Sequence, residues 1–128
     1  MIKENKQIRI LIVDDDKDIR ELLSHLLQKR GFITEEAKNG KEGLEKISTL
    51  KPDIIILDVV MPQMDGFQTC QFLKRDPATQ SIPIIFLSSQ KEPDNFNGAF
   101  PGAAIEYLEK SPYNFGHLLA KINNLIHN

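Results

Sequence analysis

Residues 54–58, Ile-Ile-Ile-Leu-Asp, are the stretch that decides the fold. Four large apolar residues in a row, three of them β-branched, predict a strand that is buried on both of its faces. Residues 8–13, Ile-Arg-Ile-Leu-Ile-Val, predict a second strand, which ends in the aspartates Asp14-Asp15-Asp16. Two buried strands that end in acidic residues therefore form the centre of the predicted domain.

Amphipathic segments lie between the predicted strands. Leu22, Leu23, Leu26 and Leu27 recur at the spacing of a helix with one apolar face. The other predicted elements are strands at 32–37, 82–87 and near 105–108, and helices after residue 39, over 67–75 and along the apolar stripe of 115–126. This alternation predicts an α/β domain whose parallel sheet is covered by helices on both faces.

Length and composition exclude several classes of protein. The 128 residues, 41% hydrophobic and 27% charged, predict one globular domain over residues 8–128 after a short extension, residues 1–7. The net charge of −2 argues against direct nucleic-acid binding, which needs a basic surface. A single cysteine allows no internal disulfide, and no apolar run approaches the ~18 residues of a membrane span. We therefore expect a cytoplasmic domain without a membrane partner.

The residues at the strand ends suit phosphoryl transfer. In parallel sheets ligands bind beyond the carboxyl ends of the strands, where this chain has Asp14, Asp15, Asp58, Ser88 and Lys110. Three carboxylates brought together repel one another, and Mg²⁺ relieves that repulsion because it prefers oxygen ligands and a phosphate partner. A lysine and a hydroxyl would complete a phosphoryl site, in which an aspartate can itself be the nucleophile.

Four motifs together carry a resemblance to a known family. They are Ile-Val-Asp-Asp-Asp at 12–16, Ile-Leu-Asp-Val-Val-Met-Pro-Gln-Met-Asp-Gly at 56–66, Ser-Ser at 88–89 and Tyr-Leu-Glu-Lys at 107–110. In these motifs the chain resembles, over essentially its whole length, the receiver domain of bacterial two-component response regulators. The resemblance implies a doubly wound, flavodoxin-like three-layer sandwich with five parallel strands in the order 2-1-3-4-5.

The resemblance implies a role for each residue of the site. Asp58 would accept the phosphoryl group and help to bind the metal, and Lys110 would bind the phosphoryl group. Asp15 would be a direct Mg²⁺ ligand, while Asp14 would act largely through water. The backbone carbonyl of Val60 would be a further ligand, and Mn²⁺ would be able to replace Mg²⁺.

The resemblance also implies a switch and its partners. Ser88 is the expected switch hydroxyl and Tyr107 the expected switch aromatic, while Val60 and Gln90 border the path of the water that removes the phosphoryl group. The expected donor is a phosphohistidine on a sensor histidine kinase or a histidine phosphotransfer protein. The output would pass to a partner or an attached effector domain. Catalysis would be limited to the domain's own phosphorylation and dephosphorylation.

Three other functions are compared with this one. A flavodoxin-type cofactor binder would place a Ser/Thr/Gly-rich phosphate loop after the first strand, where this chain has three aspartates. A haloacid-dehalogenase-type phosphatase would need a second aspartate two residues after Asp58, where this chain has Val60. The remaining alternative is a pseudo-receiver, a protein-interaction module that is never phosphorylated. Such a module normally lacks part of the acid pair, the acceptor or the lysine, and this chain has them all.

Two segments depart from the pattern of the family. The family has proline directly after the lysine, whereas this chain reads Lys110-Ser111-Pro112. We expect Ser111 to cap the last helix and Pro112 to occupy its first position. Residues 90–103, where the family has its fourth helix, contain two prolines and two glycines. Because both residue types disfavour helix interiors, we expect this helix to be short or irregular.

Overall fold

The computed structural model describes residues 8–96, 100, 102–111 and 114–127, so the predicted extension, residues 1–7, lies outside the described residues. Five strands and four helices are formed in the described part of the chain. They are β1 (Arg9–Val13), α1 (Lys17–Lys29), β2 (Ile33–Ala37), α2 (Gly40–Leu50), β3 (Ile54–Leu57), α3 (Gly66–Arg75), β4 (Ile84–Ser88), β5 (Ile105–Glu109) and α4 (Phe115–Ile126). None of these helices is both long and apolar enough to cross a bilayer.

The five strands form one parallel sheet in the order β2-β1-β3-β4-β5. This confirms the predicted fold class and strand order. The order reverses at β1, because β2 pairs with one of its edges and β3 with the other. A crevice is therefore expected at the carboxyl ends of β1 and β3, which is where such sheets bind their ligands.

Apolar side chains fill both faces of the sheet, which explains the unbroken apolar runs of the central strands. Successive side chains of a strand point to opposite faces. Ile10 and Ile12 belong to a core that also contains residues of α1 and α4. Leu11 and Val13 belong to the opposite core, which contains residues of α2 and α3. The helices thus form the two outer layers of a three-layer domain.

Two aspartates of the recognised motifs cap helices. Asp16 caps α1 by accepting hydrogen bonds from the N–H groups of Asp18 and Ile19. Asp65 caps α3 in a capping box with Gln68, in which each side chain accepts from the other residue's N–H. These carboxylates accept hydrogen bonds from N–H groups that have no partner within the helix, so each of them already serves as a helix cap.

The start of α4 differs from the prediction. The helix begins at Phe115 with Asn114 at the N-cap position, so the prediction that Ser111 caps it is wrong. The N–H of Asn114 instead donates to the carbonyl of Ser111 at 3.1 Å, and its side-chain amide donates to the carbonyl of Glu109 at 2.6 Å. These bonds hold the chain in a turn ahead of the helix. Pro112 lies outside the described residues.

The chain directly after β4, over residues 89–95, forms bends and a turn and no helix. Residues 91–93 have no regular secondary structure, and residues 94–95 form a turn ahead of the buried Phe96. A regular helix that starts at residue 92 is therefore not formed, in agreement with the predicted short or irregular helix. Residues 97–99 and 101 lie outside the described residues.

Phe86 is the aromatic centre of the core beneath α2 and α3, with its ring centroid 4.9 Å from that of Phe67 and 5.7 Å from that of Phe96. Phe86→Ala should lower the free energy of unfolding by ~3–5 kcal/mol, because it leaves a cavity in a fully buried position. The control is Phe72→Ala, at a half-exposed ring, which should cost about 1 kcal/mol or less. Chemical denaturation measures both values, and equal losses would contradict this description of the core.

Candidate functional site

Three carboxylates meet at the carboxyl ends of β1 and β3. Asp14 and Asp15 follow β1, Asp58 follows β3, and one carboxylate oxygen of each lies within 4.8 Å of the others. Backbone hydrogen bonds extend the sheet into this cluster. The N–H of Asp58 donates to the carbonyl of Val13 at 2.9 Å, and the N–H of Asp14 donates to that of Ala37 at 3.1 Å. The sheet itself therefore fixes two of the three acids.

Burial divides the three acids into two kinds. Asp14 and Asp58 are buried, whereas Asp15 is exposed to solvent. Burial raises the pKa of Asp58 to about 6, and the negative charge of Asp14 acts in the same direction. Placing two carboxylates so close together out of water costs free energy, which a bound cation would recover.

Lys110 brings a positive charge to the buried acids. Its Nζ lies 2.8 Å from Oδ2 of Asp14 and 3.4 Å from Oδ1 of Asp58. Burial lowers the pKa of Lys110, but the hydrogen bonds and charges of the two carboxylates outweigh it and hold the pKa above its usual value. The sheet places this lysine, because Glu109 pairs with Ser88 in register and the N–H of Lys110 donates to the Ser88 carbonyl at 2.6 Å.

Ser88 and Tyr107 converge on the backbone of Gln90. Ser88 is fully buried, and its Oγ accepts a hydrogen bond from the N–H of Gln90 at 3.1 Å. The hydroxyl of Tyr107 donates to the carbonyl of Gln90 at 2.8 Å. The ring of Tyr107 is buried and packs edge-on against Phe96, with 5.3 Å between the centroids. Tyr107 thus points inward, and the loop after β4 links the two side chains.

Val60 and Gly66 lie in the connection between Asp58 and α3. The side chain of Val60 is half-exposed. The N–H of Gly66 donates to the carbonyl of Val59 at 2.8 Å, and a Cβ at this position would lie 2.2 Å from the carbonyl oxygen of Asp58. Glycine is therefore required here, because any larger residue would push α3 away from the end of β3.

The structure brings together four of the residues predicted from the sequence, namely Asp14, Asp15, Asp58 and Lys110. Ser88 and Tyr107 form a neighbouring group around Gln90. Two further residues support the site without having been predicted to do so. Gly66 ends the motif at 56–66, but the motif does not show its close approach to the carbonyl of Asp58. Arg20 donates to a carbonyl of the acidic loop and belongs to none of the four motifs.

The cluster fits a hard divalent cation. The three side chains that could hold a metal are all carboxylates, and such oxygen ligands suit Mg²⁺, Ca²⁺ or Mn²⁺ better than softer metals. Mg²⁺ typically uses one or two carboxylates and keeps waters for exchange with phosphate oxygens. The exposure of Asp15 on the solvent side is consistent with such an open arrangement.

Sequence comparisons place this chain among known signalling proteins. The family model described as the response regulator receiver domain matches residues 10–123. The chain is 36% identical over 118 residues to the DNA-binding dual master transcriptional regulator RpaA of Synechocystis, across 92% of this chain and 48% of that protein. It is 34% identical over 119 residues to response regulator MprA of Mycolicibacterium vanbaalenii, across 93% of this chain and 50% of that protein. The chain spans about half the length of these relatives.

Solved structures share the fold of this chain. Chemotaxis protein CheY4 of Vibrio cholerae superposes with a TM-score of 0.81 at 33% identity, across 92% of this chain and 98% of that one. Response regulator TrrA of Thermotoga maritima, solved in complex with Mg²⁺-BeF, superposes with a TM-score of 0.81 at 34% identity, across 93% of this chain and 99% of that one.

The raised pKa of Asp58 predicts how stability changes with pH when no metal is present. The pKa of the folded state, about 6, lies above the ordinary value of 3.8, so the folded state binds more protons between these values. Stability should consequently fall as the pH rises from about 4 to about 6 and stay low above it. Asp58→Asn removes the buried charge and should raise the free energy of unfolding at neutral pH by ~1–3 kcal/mol.

Thermal unfolding in EDTA over roughly pH 4–8 measures this effect. Asp94→Asn, at an exposed carboxylate outside the cluster, is the matched control and should follow the wild-type profile. An Asp58→Asn variant with wild-type stability at every pH would show that the carboxylates are not under electrostatic strain.

Proposed function

Because this chain belongs to the response regulator receiver domain family, we propose that it is a signalling domain that accepts a phosphoryl group on Asp58. The observation that carries the proposal is a cluster of three carboxylates, two of which contact one lysine. Their oxygens lie within 4.8 Å of one another, and Nζ of Lys110 contacts two of them. Such a site offers a nucleophile, candidate metal ligands and a cation for phosphoryl oxygens.

Asp58 is the proposed nucleophile. One of its carboxylate oxygens forms a bond to phosphorus while the bond between phosphorus and the donor histidine nitrogen breaks, which leaves aspartyl phosphate and a free imidazole. With a pKa of about 6, Asp58 is mostly ionised at neutral pH and thus nucleophilic. Lys110 is placed to bind an oxygen of the transferred group. The domain acts on no separate metabolite, and catalysis is limited to its own phosphorylation and dephosphorylation.

Asp14, Asp15 and Asp58 are the proposed holders of Mg²⁺, with the backbone carbonyl of Val60 as a further ligand. A cation bound there supplies positive charge that offsets the negative charge of the phosphoryl oxygens. Mn²⁺ shares the preference for oxygen ligands and is expected to substitute. The Mg²⁺-BeF complex of the Thermotoga relative supports this choice of metal.

A sensor histidine kinase or a histidine phosphotransfer protein is the proposed donor. An apolar groove of about 360 Å³ runs between α1 and α4 and reaches Lys110, with Leu22, Leu26 and Phe115 among its lining residues. Leu22 is 57% exposed, although it belongs to the apolar stripe of α1. A helix of the donor that packs into this groove would bring a phosphohistidine beside Lys110 and Asp58.

The proposed output is a change in protein contacts. A phosphoryl oxygen that accepts a hydrogen bond from the hydroxyl of Ser88 would draw this side chain toward the site and pull on the N–H of Gln90 that donates to it, and the carbonyl of Gln90 holds Tyr107. Phosphate shifts this loop only if it binds one arrangement better than the other. A partner or an attached effector domain would detect the change. The name of the Synechocystis relative includes DNA binding, but we propose no DNA binding for this domain.

Intact mass after incubation with acetyl phosphate and Mg²⁺ tests the proposed function. The wild type should gain one phosphoryl group, which EDTA should prevent, and Asp58→Asn should gain none. Asp16→Asn is the matched control from the same acidic loop. It should be phosphorylated normally, because Asp16 caps a helix and asparagine caps helices equally well. A wild type that never gains mass would favour the pseudo-receiver.

The lifetime of the phosphorylated form should depend on Val60. Hydrolysis needs a water aligned for attack on phosphorus, and the half-exposed side chain of Val60 has no polar atom to orient one. We expect slow dephosphorylation, which Val60→Asn or Val60→Glu changes severalfold. Val60→Leu is the apolar control and should decay at the wild-type rate. Mass spectrometry after removal of acetyl phosphate gives the rates, and one common rate would remove Val60 from this role.

A further inference from the structure

Arg20 holds the acidic loop from outside the site. Its Nη1 donates to the carbonyl oxygen of Asp14 at 2.8 Å, and its Nε donates to Oε1 of Glu36 at 3.3 Å. Arg20 lies on α1 and Glu36 on the edge strand β2, and the arginine side chain is only 15% exposed. One guanidinium group therefore joins the first helix, the edge strand and the loop that carries the acid pair.

The carbonyl that Arg20 binds controls the direction of the acid pair. It belongs to the planar peptide unit that joins Asp14 to Asp15, so its orientation fixes the backbone from which the Asp15 side chain projects. Both oxygens of the Asp14 carboxylate also have a partner. Its Oδ1 accepts from the N–H of Asp16 at 2.9 Å, and its Oδ2 faces Lys110 at 2.8 Å. The N–H of Asp14 is held by the sheet, and Arg20 adds the restraint on its carbonyl.

We propose that Arg20 is a positioning residue for the metal and phosphoryl site, acting through the peptide between Asp14 and Asp15. The proposal rests on the proposed function. It adds that the acid pair takes its working geometry from an arginine that binds neither metal nor phosphoryl group. Charge-assisted hydrogen bonds of this kind are about twice as strong as neutral ones.

An arginine is needed because two acceptors must be bound at once. The planar guanidinium presents Nε to Glu36 and Nη1 to the Asp14 carbonyl in one fixed geometry, whereas a lysine ammonium is a single point charge. Glu36 is itself well placed, because it pairs in register with Ile12 on β1 and its carbonyl accepts a hydrogen bond from Lys46 of α2. The glutamate that Arg20 binds is thus held in place by the sheet.

The test compares Arg20→Lys and Arg20→Ala with Arg9→Ala in the full chain. Arg9 forms a similar ion pair with Glu35 on β2, at 3.2 Å, but at the opposite end of β1 from the acids. Two quantities are measured by NMR. One is the Mg²⁺ concentration at half-saturation, and the other is the hydrogen-exchange rate of the Asp16 amide without metal.

Both Arg20 variants should raise the half-saturating Mg²⁺ concentration on the order of tenfold. This is the smaller of the losses in metal affinity that follow when a residue supporting the metal ligands is removed. They should also speed exchange of the Asp16 amide, because its hydrogen bond to Asp14 depends on the restrained loop. Arg9→Ala should change neither quantity. Slower phosphorylation of the Arg20 variants should recover when Mg²⁺ is raised to saturation.

Two outcomes would overturn the proposal. One is a Mg²⁺ midpoint and an Asp16 exchange rate that stay at wild-type values in Arg20→Lys. The other is an equal change in Arg9→Ala and Arg20→Ala, which would mean a general loss of stability. Failure of the proposed function is distinct, because the wild type would then take up neither Mg²⁺ nor a phosphoryl group. Faster Asp16 exchange in Arg20→Lys would still support the positioning of the loop.

Discussion

Two buried carboxylates share a single lysine, and the site depends on this imbalance of charge. Asp14 and Asp58 are both in contact with Nζ of Lys110, and the exposed Asp15 adds a third negative charge nearby. One cation cannot neutralise three acids, so the site has a physical reason to take up a divalent metal. The raised pKa of Asp58 has the same origin in burial and in the charge of Asp14.

The sheet makes this crowding unavoidable. The acids follow β1 and β3, which are hydrogen-bonded neighbours, and the lysine follows β5, which β4 separates from β3. Each strand is anchored by an apolar core on both faces, so the acids cannot separate without breaking backbone pairs. The free energy gained by burying the apolar cores therefore keeps the like charges close together. Functional sites commonly keep local strain of this kind, because the surrounding structure holds it in place.

The sequence predicts the parts of this arrangement that follow from periodicity. Buried runs such as residues 54–57 identify the strands, and their ends identify Asp58 and its partners, because parallel strands place their carboxyl ends at one edge of the sheet. The residue types that favour helix caps predicted the start of the last helix less well. Ser111 has the residue type of a cap, yet a turn delays the helix to Phe115. Arg20 could not be predicted, because its partners, a distant glutamate and a carbonyl, leave no local pattern.

A double-mutant cycle between Asp14 and Asp58 measures the repulsion directly. The free energy of unfolding is determined for the wild type, Asp14→Asn, Asp58→Asn and the double variant, first in EDTA and then in saturating Mg²⁺. We predict a repulsive coupling of ~1 kcal/mol or more without metal, because either substitution relieves the same interaction. In Mg²⁺ the coupling should become attractive, because both carboxylates then contribute to holding the cation. A coupling indistinguishable from zero under both conditions would contradict a shared, electrostatically strained site.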